Sequence, residues 1–422
     1  MSNVMCVNSA AGVVAGAGAG HGAGNGQGSN SVNVRQFNER VILNALRRLG
    51  QASKADLSRS VNLTSNTAGV IVKELEERGL IRSEGKRSGA RGQPATLLSL
   101  NPEGAYSIGV KVGRRSVDTL LVDFRGHVVE RRHHERDFPM PEESLALALG
   151  DIAAMRDALP SDAKDRLAGI GVAAPYDMGS WRRELDIRVD AYRVWNDVDI
   201  AARLGASTGL PVFRENDGTA AAVAEMFRGC GRELQTFAYL FIGSAIGGGL
   251  VLNGEYYRGV TGNAGDIGLM PVGPSRLASA PRPTHSCDIL LTRASINSLI
   301  RHLRANGVEV VLRSELERAI PLHPGLVAEW LDDAADALVM PLLSAACLLD
   351  VEAIVIDADL PMEVRRDLES RLNRCLDEAV PEARRPPPLR LGQVGRQAAA
   401  LGAAILPLHL NYSPSREILV NQ

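Results

Sequence analysis

Lys86, Arg87 and Arg91 stand in a glycine-rich run, Glu84 to Pro94, that also holds Gln93. Guanidinium and ammonium groups on a pliant loop pair with phosphate oxygens, so the run reads as a basic wing for nucleic acid. Just upstream, Ser65, Asn66, Thr67, Gly69, Val70 and Lys73 open a stretch of helical periodicity. Small, amide and cationic side chains placed there can reach base edges in a major groove. The cysteines offer no comparable chemistry, because Cys6, Cys230, Cys287, Cys347 and Cys375 are far apart and include no Cys-x-x-Cys pair. Neither a disulfide scaffold nor a cysteine-built zinc site fits, and a reducing cytoplasm is the expected compartment.

Helical periodicity supplies the elements that must hold these groups. Residues 37–49 place Val41, Ile42, Ala45, Leu46 and Leu49 on one face and end at Gly50, a C-terminal stop. Ser53 can cap a short helix over 54–60, with Ala55 and Leu57 turned inward. After the turn Val61-Asn62-Leu63, Thr64 caps a third helix that runs to about Arg78 on an Ile71, Val72, Leu75 stripe and closes at Gly79. This is a helix-turn-helix, and strands at 80–81 and 96–100 on either side of the basic run make it winged. Charge agrees: residues 32–100 carry 12 Lys and Arg against 6 Asp and Glu, a net of +6, whereas the rest of the chain nets −8. A small helical interaction domain is the competing reading, and it leaves the basic wing unexplained.

The chain has 422 residues, 45% hydrophobic and 23% charged, with a formal net charge of −2. That composition is globular and soluble, and the length calls for two or three domains. The first 31 residues contain no Lys, Arg, Asp or Glu and alternate Gly with Ala over 15–24. They read as a disordered arm, and without a positive n-region they do not resemble a signal peptide. The longest apolar stretch, 338–349, falls well short of the roughly 20 residues of a membrane helix. No membrane association is expected.

After Asn101-Pro102 the pattern becomes α/β. Strands are expected at 106–112, 116–123 and 127–136, a helix at 142–159, a strand at 167–172 and a helix at 199–208. A strand at 212–215 then delivers Asn216-Asp217 ahead of an alanine-rich helix ending near Arg228. Paired strands at 237–242 and 248–252 flank Gly243 to Gly247, followed by a helix at 326–349, a strand at 353–356 and a terminal helix from near Arg396. Two α/β lobes with a cleft between them follow.

These residues resemble the ROK family of repressors, open reading frames and sugar kinases, in its repressor form. The resemblance covers about residues 34–408. It rests on the winged helix leading into Leu100-Asn101-Pro102, on Gly209-Leu210-Pro211-Val212 to Glu215-Asn216-Asp217, and on Gly243 to Gly254. Ala264-Gly265-Asp266-Ile267-Gly268 and the stretch Gly395 to Ala404 complete it. It implies an actin-like, hexokinase-like fold in two lobes, with sugar in the cleft and, in the kinases, ATP phosphates beside it. The resulting domain expectation is an arm over 1–31, a winged helix-turn-helix over 32–100, and an effector and oligomerisation domain over 101–422. Within the last, lobe 1 takes about 101–217 plus the C-terminal helix, and lobe 2 about 218–395.

Departures from the family pattern bear on activity. Where its kinases carry an Asp-x-Gly-Gly/Ala-Thr phosphate loop, this chain has Lys111-Val112-Gly113-Arg114-Arg115. Drift on a disused nucleotide loop accounts for this, an anion held by Lys111, Arg114 and Arg115 being the alternative. Ser244-Ala245 replaces the usual Thr-Gly, and Asp357-Ala358 replaces a Gly-Gly on the nucleotide side. The family's zinc signature is absent, since Leu269 stands for its His and Ser275 to Ser286 has no cysteine, while Ile289 stands for a sugar-binding Glu. What the resemblance keeps is Asp217, the general base of the kinases, which in a repressor accepts sugar hydroxyls without chemistry. Asn216 and Asp266 complete a polar set suited to a polyol, unless Asn216-Asp217 merely caps the following helix.

The expected function is therefore a sugar-responsive transcriptional repressor without catalytic residues, metal or cofactor. Its partners would be double-stranded operator DNA, a sugar or sugar derivative, and further copies of itself in a homodimer or higher oligomer. Two other readings compete. One is a DNA-binding regulator whose degenerate lobe only dimerises or binds a protein, and the other is an active sugar kinase.

Overall fold

The computed structural model describes residues 31–87, 95–136, 140–178, 194–195, 198–283, 286–311, 313–380, 385–415 and 417–420. Of Lys86, Arg87 and Val420 it describes the backbone alone. The arm expected over 1–31 lies outside these residues except for Ser31, as do Arg91 and Gln93 of the wing.

Three helices, α1 (Ser31–Leu49), α2 (Lys54–Ser60) and α3 (Ser65–Glu77), open the chain. Local caps fix their starts. Ser53 and Asp56 form a reciprocal capping box on α2, and Thr64 Oγ1 accepts the Thr67 amide at the head of α3. Between them Asn62 turns the chain at φ 53°, a left-handed conformation that asparagine tolerates. The helix α1 begins six residues before the expected Phe37, because its polar first turns carry no apolar stripe and are held by charge. Arg35 pairs with Glu74, and Glu39 with Arg78 at 2.6 Å.

Strands β2 (Ile81–Arg87) and β3 (Ala95–Leu100) form the wing, and a two-residue strand, β1 (Ala52–Ser53), adds to β3 opposite Leu97 and Leu98. Two residues are too short to show periodicity, so β1 had no signature in the sequence.

Two five-stranded sheets follow, and they share one plan. In the first, β4 (Tyr106–Val112), β5 (Ser116–Asp123) and β6 (Val128–Glu135) form an antiparallel meander, and β7 (Leu167–Ala174) and β8 (Val212–Asn216) join beside β4 in parallel. The second repeats it with β9 (Phe237–Ile242), β10 (Ile246–Leu252) and β11 (Glu255–Tyr257) antiparallel. A small pair, β12 (Pro271–Val272) and β13 (Asp288–Ile289), intervenes before β14 (Ala353–Ala358) and β15 (Leu389–Leu391) join beside β9 in parallel. Such duplication is the expected two-lobed α/β fold. Helices over 290–322 and Met362–Ala379 cover the second sheet, where the sequence reading made no assignment.

Helix Ala398–Tyr412 lies between the first sheet and helix Asp217–Arg228. It fits only because small residues face it. A Cβ on Gly109, Gly171 or Gly402 would run into the backbone of Ala404, Ala403 or Ala220 respectively. Backbone cannot yield as a flexible side-chain tip can, so Gly402→Ala should destabilise the protein by roughly 3 kcal/mol. A urea midpoint that falls at unchanged m-value is the expected readout.

One hydrophobic core joins the winged helix to the lobes. Ile42, Leu46, Leu57, Val72, Leu75 and Leu98 belong to the same buried cluster as Phe124, Phe227, Leu401 and Ile405. The Phe124 ring meets Tyr412 edge-on at 4.8 Å. Polar clamps reinforce this contact: Arg125 donates to Leu100 O at 2.7 Å and to Glu84 at 2.9 Å, and Arg40 donates to Leu410 O at 2.9 Å. The winged helix is thereby packed on the lobes, so a shift in one has a mechanical route to the other.

Candidate functional site

On the winged helix, burial of Ala68, Ile71, Val72 and Leu75 turns the opposite face of α3 to solvent. Ser65, Asn66, Thr67, Val70 and Lys73 are all exposed on it, and Gly69 is half-buried. Thr67 is already engaged, its hydroxyl sharing a 2.8 Å hydrogen bond with Thr64 Oγ1. Asn66 keeps a free amide among the described residues, the group that pairs bidentately with adenine. Asn66→Ala should therefore relax discrimination at one base pair by about 1–3 kcal/mol. Selection of bound sequences from a random duplex pool would reveal it.

The second site lies where β8 ends and helix Asp217–Arg228 begins. Asn216 is the N-cap, its Oδ1 accepting the Gly218 amide at 2.7 Å and its Nδ2 donating to Asn263 Oδ1 at 2.8 Å. Asn263 in turn donates to Asp266 Oδ2 at 2.9 Å. Asn216, Asn263 and Asp266 thus form one hydrogen-bonded chain. Asn263 was not among the expected site residues; its only signal was a polar side chain three positions before Asp266.

Asp217 differs from its neighbours. Half-buried in the first turn of the helix, it has no hydrogen-bond or ion-pair partner among the described residues. Asp266 stands close enough for the two carboxylates to repel, and burial together with that repulsion raises the Asp266 carboxyl above its usual range. Two neighbouring carboxylates suit a ligand rich in hydroxyl donors.

Glycines let the walls of this site close. A side chain on Gly218 would strike the backbone of Gly248, and one on Gly248 would strike Gly265 O. Gly265 also sits at φ 84°, where other residues are strained. Behind the site, buried Glu215 pairs with Arg258 at 2.7 Å and accepts from Tyr256 Oη at 3.2 Å, tying β8 to β11 and the residue that follows it. Burial raises the Glu215 carboxyl.

The positions expected to serve a nucleotide are built differently. Arg114 donates to Asp177 O at 3.1 Å, and Arg115 is exposed at the turn between β4 and β5. Asp357 is fully buried, pairs with Arg365 at 2.8 Å and accepts the Gly395 amide at 2.7 Å. A packed ion pair thus occupies this end of β14. Leu269 is 47% exposed. Among the described residues no group of three His, Cys, Asp or Glu side chains is gathered for a metal. Nor is any helix among them long and apolar enough to cross a membrane.

Comparison with known proteins places these features. Residues 107–409 match the model of the ROK family, and residues 38–82 match a winged helix-turn-helix DNA-binding model. The chain is 27% identical over 239 residues to the xylose repressor of Bacillus spizizenii, a match spanning 57% of this chain and 61% of that protein. It is 30% identical over 236 residues to a glucokinase of Halalkalibacterium halodurans, spanning 55% and 69%. Among solved structures, a ROK family transcriptional regulator described as a homologue of the E. coli MLC protein superposes with a TM-score of 0.67 at 21% identity. That superposition covers 92% of this chain and all of the other.

Proposed function

The chain belongs to the ROK family, and from that premise we propose that it is a sugar-responsive transcriptional repressor that holds operator DNA with its winged helix and a polyhydroxylated effector in the interlobe cleft. The observation that carries this reading is the coexistence of an exposed α3 face and an unpaired Asp217 carboxylate in lobes sharing one core with the winged helix. Asp217 is the main anchor for effector hydroxyls and Asp266 a second acceptor. Asn216 has both ends of its amide engaged and acts by orienting Asn263 and Asp266. The protein works as a homodimer or higher oligomer, which spaces two α3 helices for two half-sites of a symmetric operator.

Because homologous glucokinases share the lobes, absence of kinase activity is a separate part of the proposal. Arg114 and Arg115 stand where backbone must approach phosphate, and the Asp357–Arg365 pair fills space on the nucleotide side. Purified protein should show no ATP-dependent phosphorylation of hexoses and hold far less than one zinc per chain by elemental analysis. Hexose turnover that disappears in Asp217→Asn would contradict the regulatory reading. A thermal-shift screen of sugars, sugar derivatives and polyols tests the effector site itself, with stabilisation by at least one of them and its loss in Asp217→Ala as the expected result.

A further inference from the structure

A second polar site lies at the joint between the winged helix and the lobes, away from Asp217. The last turns of α1 contribute Asn44, Arg47 and Arg48, and the segment after helix Asp217–Arg228 contributes Arg232. Arg47 is only 8% exposed. Its guanidinium lies 4.0 Å over the Phe227 ring and reaches Ser413 Oγ at 3.4 Å, while its Nε and Nη2 are buried without a hydrogen-bond partner among the described residues. Arg232 donates through Nη2 to the carbonyls of Arg47 and Arg48 at 2.7 and 3.0 Å, and its Nε is also buried without a partner. The C-terminal carbonyls of α1 draw a cation there but supply only a fraction of a charge.

Among the described residues no carboxylate answers these cations. The pocket they line, with Gln235, His409 and Ser413, has a volume of about 60 Å³ and contains no Asp or Glu in its wall. That is several times the ~10–15 Å³ needed by a single water. It adjoins a cleft of about 740 Å³ through the shared residues Asn44, Arg48, Arg232 and Pro414. The cleft adds Arg228 and Arg390, with Glu233 as the one acidic residue in its wall, 3.5 Å from Arg390. Its volume is within the range of small-molecule sites, roughly 300–1,000 Å³.

A buried guanidinium without a counter-ion is costly, and the cost is visible in its acidity. Burial, with Arg232 close by, pushes the Arg47 guanidinium down to about 9. His409 adds no charge, since burial and the two arginines Arg47 and Arg40 push its imidazole down to about 3. Three arginines around a compact pocket call for a ligand with more than one negative charge and several oxygen acceptors, and forked guanidinium groups match a tetrahedral oxyanion.

We propose that this joint binds a phosphate dianion, free or as the monoester of a small metabolite whose organic part lies in the larger cleft, and that its binding fastens α1 to the lobes. Occupancy would then bias the orientation of the DNA-reading head independently of the sugar cleft. The inference does not depend on what Asp217 binds.

The test uses the full chain, titrated calorimetrically with inorganic phosphate, with a hexose 6-phosphate and with the free hexose, against sodium chloride at matched ionic strength. Both phosphates should bind and the chloride control should not. Equal affinities assign the site to free phosphate, and a tighter ester assigns it to the phosphorylated metabolite. Arg47→Gln tests the buried group but risks misfolding, so Arg48→Gln with Arg228→Gln is the second variant. Neither of those side chains donates a hydrogen bond among the described residues. Each variant should weaken phosphate binding about tenfold. Asp217→Asn should leave it unchanged, which separates this site from the sugar cleft. The proposal is overturned if phosphate produces no more heat than chloride, if the double variant binds it as tightly as wild type, or if Asp217→Asn abolishes binding. It is equally overturned if phosphate fails to bind and the double variant instead weakens DNA binding, for the arginines would then serve the DNA backbone.

Discussion

Asp217→Ala is expected to leave DNA binding at its wild-type strength while removing most of the response to the sugar effector. The carboxylate makes no hydrogen bond or ion pair among the described residues, and the N-cap of its helix is supplied by Asn216. Removing it therefore costs the fold little. Its loss costs the ligand two charge-assisted hydrogen bonds, about 1.5–3 kcal/mol each, so effector affinity should drop roughly a hundredfold or more. Asp266 cannot compensate, because one of its oxygens is already taken by Asn263 and burial disfavours its charge. Calorimetric titration of wild type and variant with a ligand found by thermal shift measures the effect. A variant that folds, binds DNA and still responds normally would place the effector elsewhere.

Replacing Lys86, Arg87 and Arg91 together by Ala should weaken DNA binding broadly, by roughly tenfold or more, without changing which sequences are preferred. Lys86 and Arg87 extend along β2 to the edge of the wing, and Arg91 follows in the same basic run. Phosphate contacts release counterions, and each one lost lowers the slope of log affinity against log salt by about one. The slope should therefore flatten by about three per protomer, about six for a dimer on its symmetric operator. Anisotropy titrations at several salt concentrations check it, and an unchanged slope would remove the wing from the interface. Contrast with Asn66→Ala is informative, since that variant should shift base preference and leave the salt dependence alone.

Local signals made the winged helix legible before the structure. Ser53 and Thr64 are side-chain caps whose bonds reach three residues ahead, and the stripe Ile71, Val72, Leu75 is buried as its spacing requires. The strands at 106–112, 116–123 and 237–242 also coincide with the sequence reading, because their apolar runs end at turns. What the sequence did not reveal depends on contacts between distant positions. Asn263 matters only because folding brings it 2.8 Å from Asn216, 47 residues earlier. Arg47 looks like an ordinary solvated arginine near the end of a helix until Phe227 and Arg232 close over it. The early start of α1 rests on ion pairs to α3 that no periodicity encodes.

Continuity between the winged helix and the lobes gives the account its mechanism. A ligand changes DNA affinity only by binding one arrangement of the molecule better than another. Here the lobes that carry Asp217 and Asp266 share one buried cluster with the winged helix that carries the exposed face of α3, clamped by Arg125 at β3 and Arg40 at α1. A coupling of roughly 1–3 kcal/mol, typical of such linkage, corresponds to a change of about 5- to 150-fold in operator affinity.

The most direct test is therefore one titration of the full chain against duplex DNA carrying its operator, followed by anisotropy with and without a saturating sugar identified by thermal shift. The account predicts a change in operator affinity of about 5- to 150-fold for wild type and little for Asp217→Ala. A sugar that binds wild type at saturation and leaves operator affinity unchanged would contradict it.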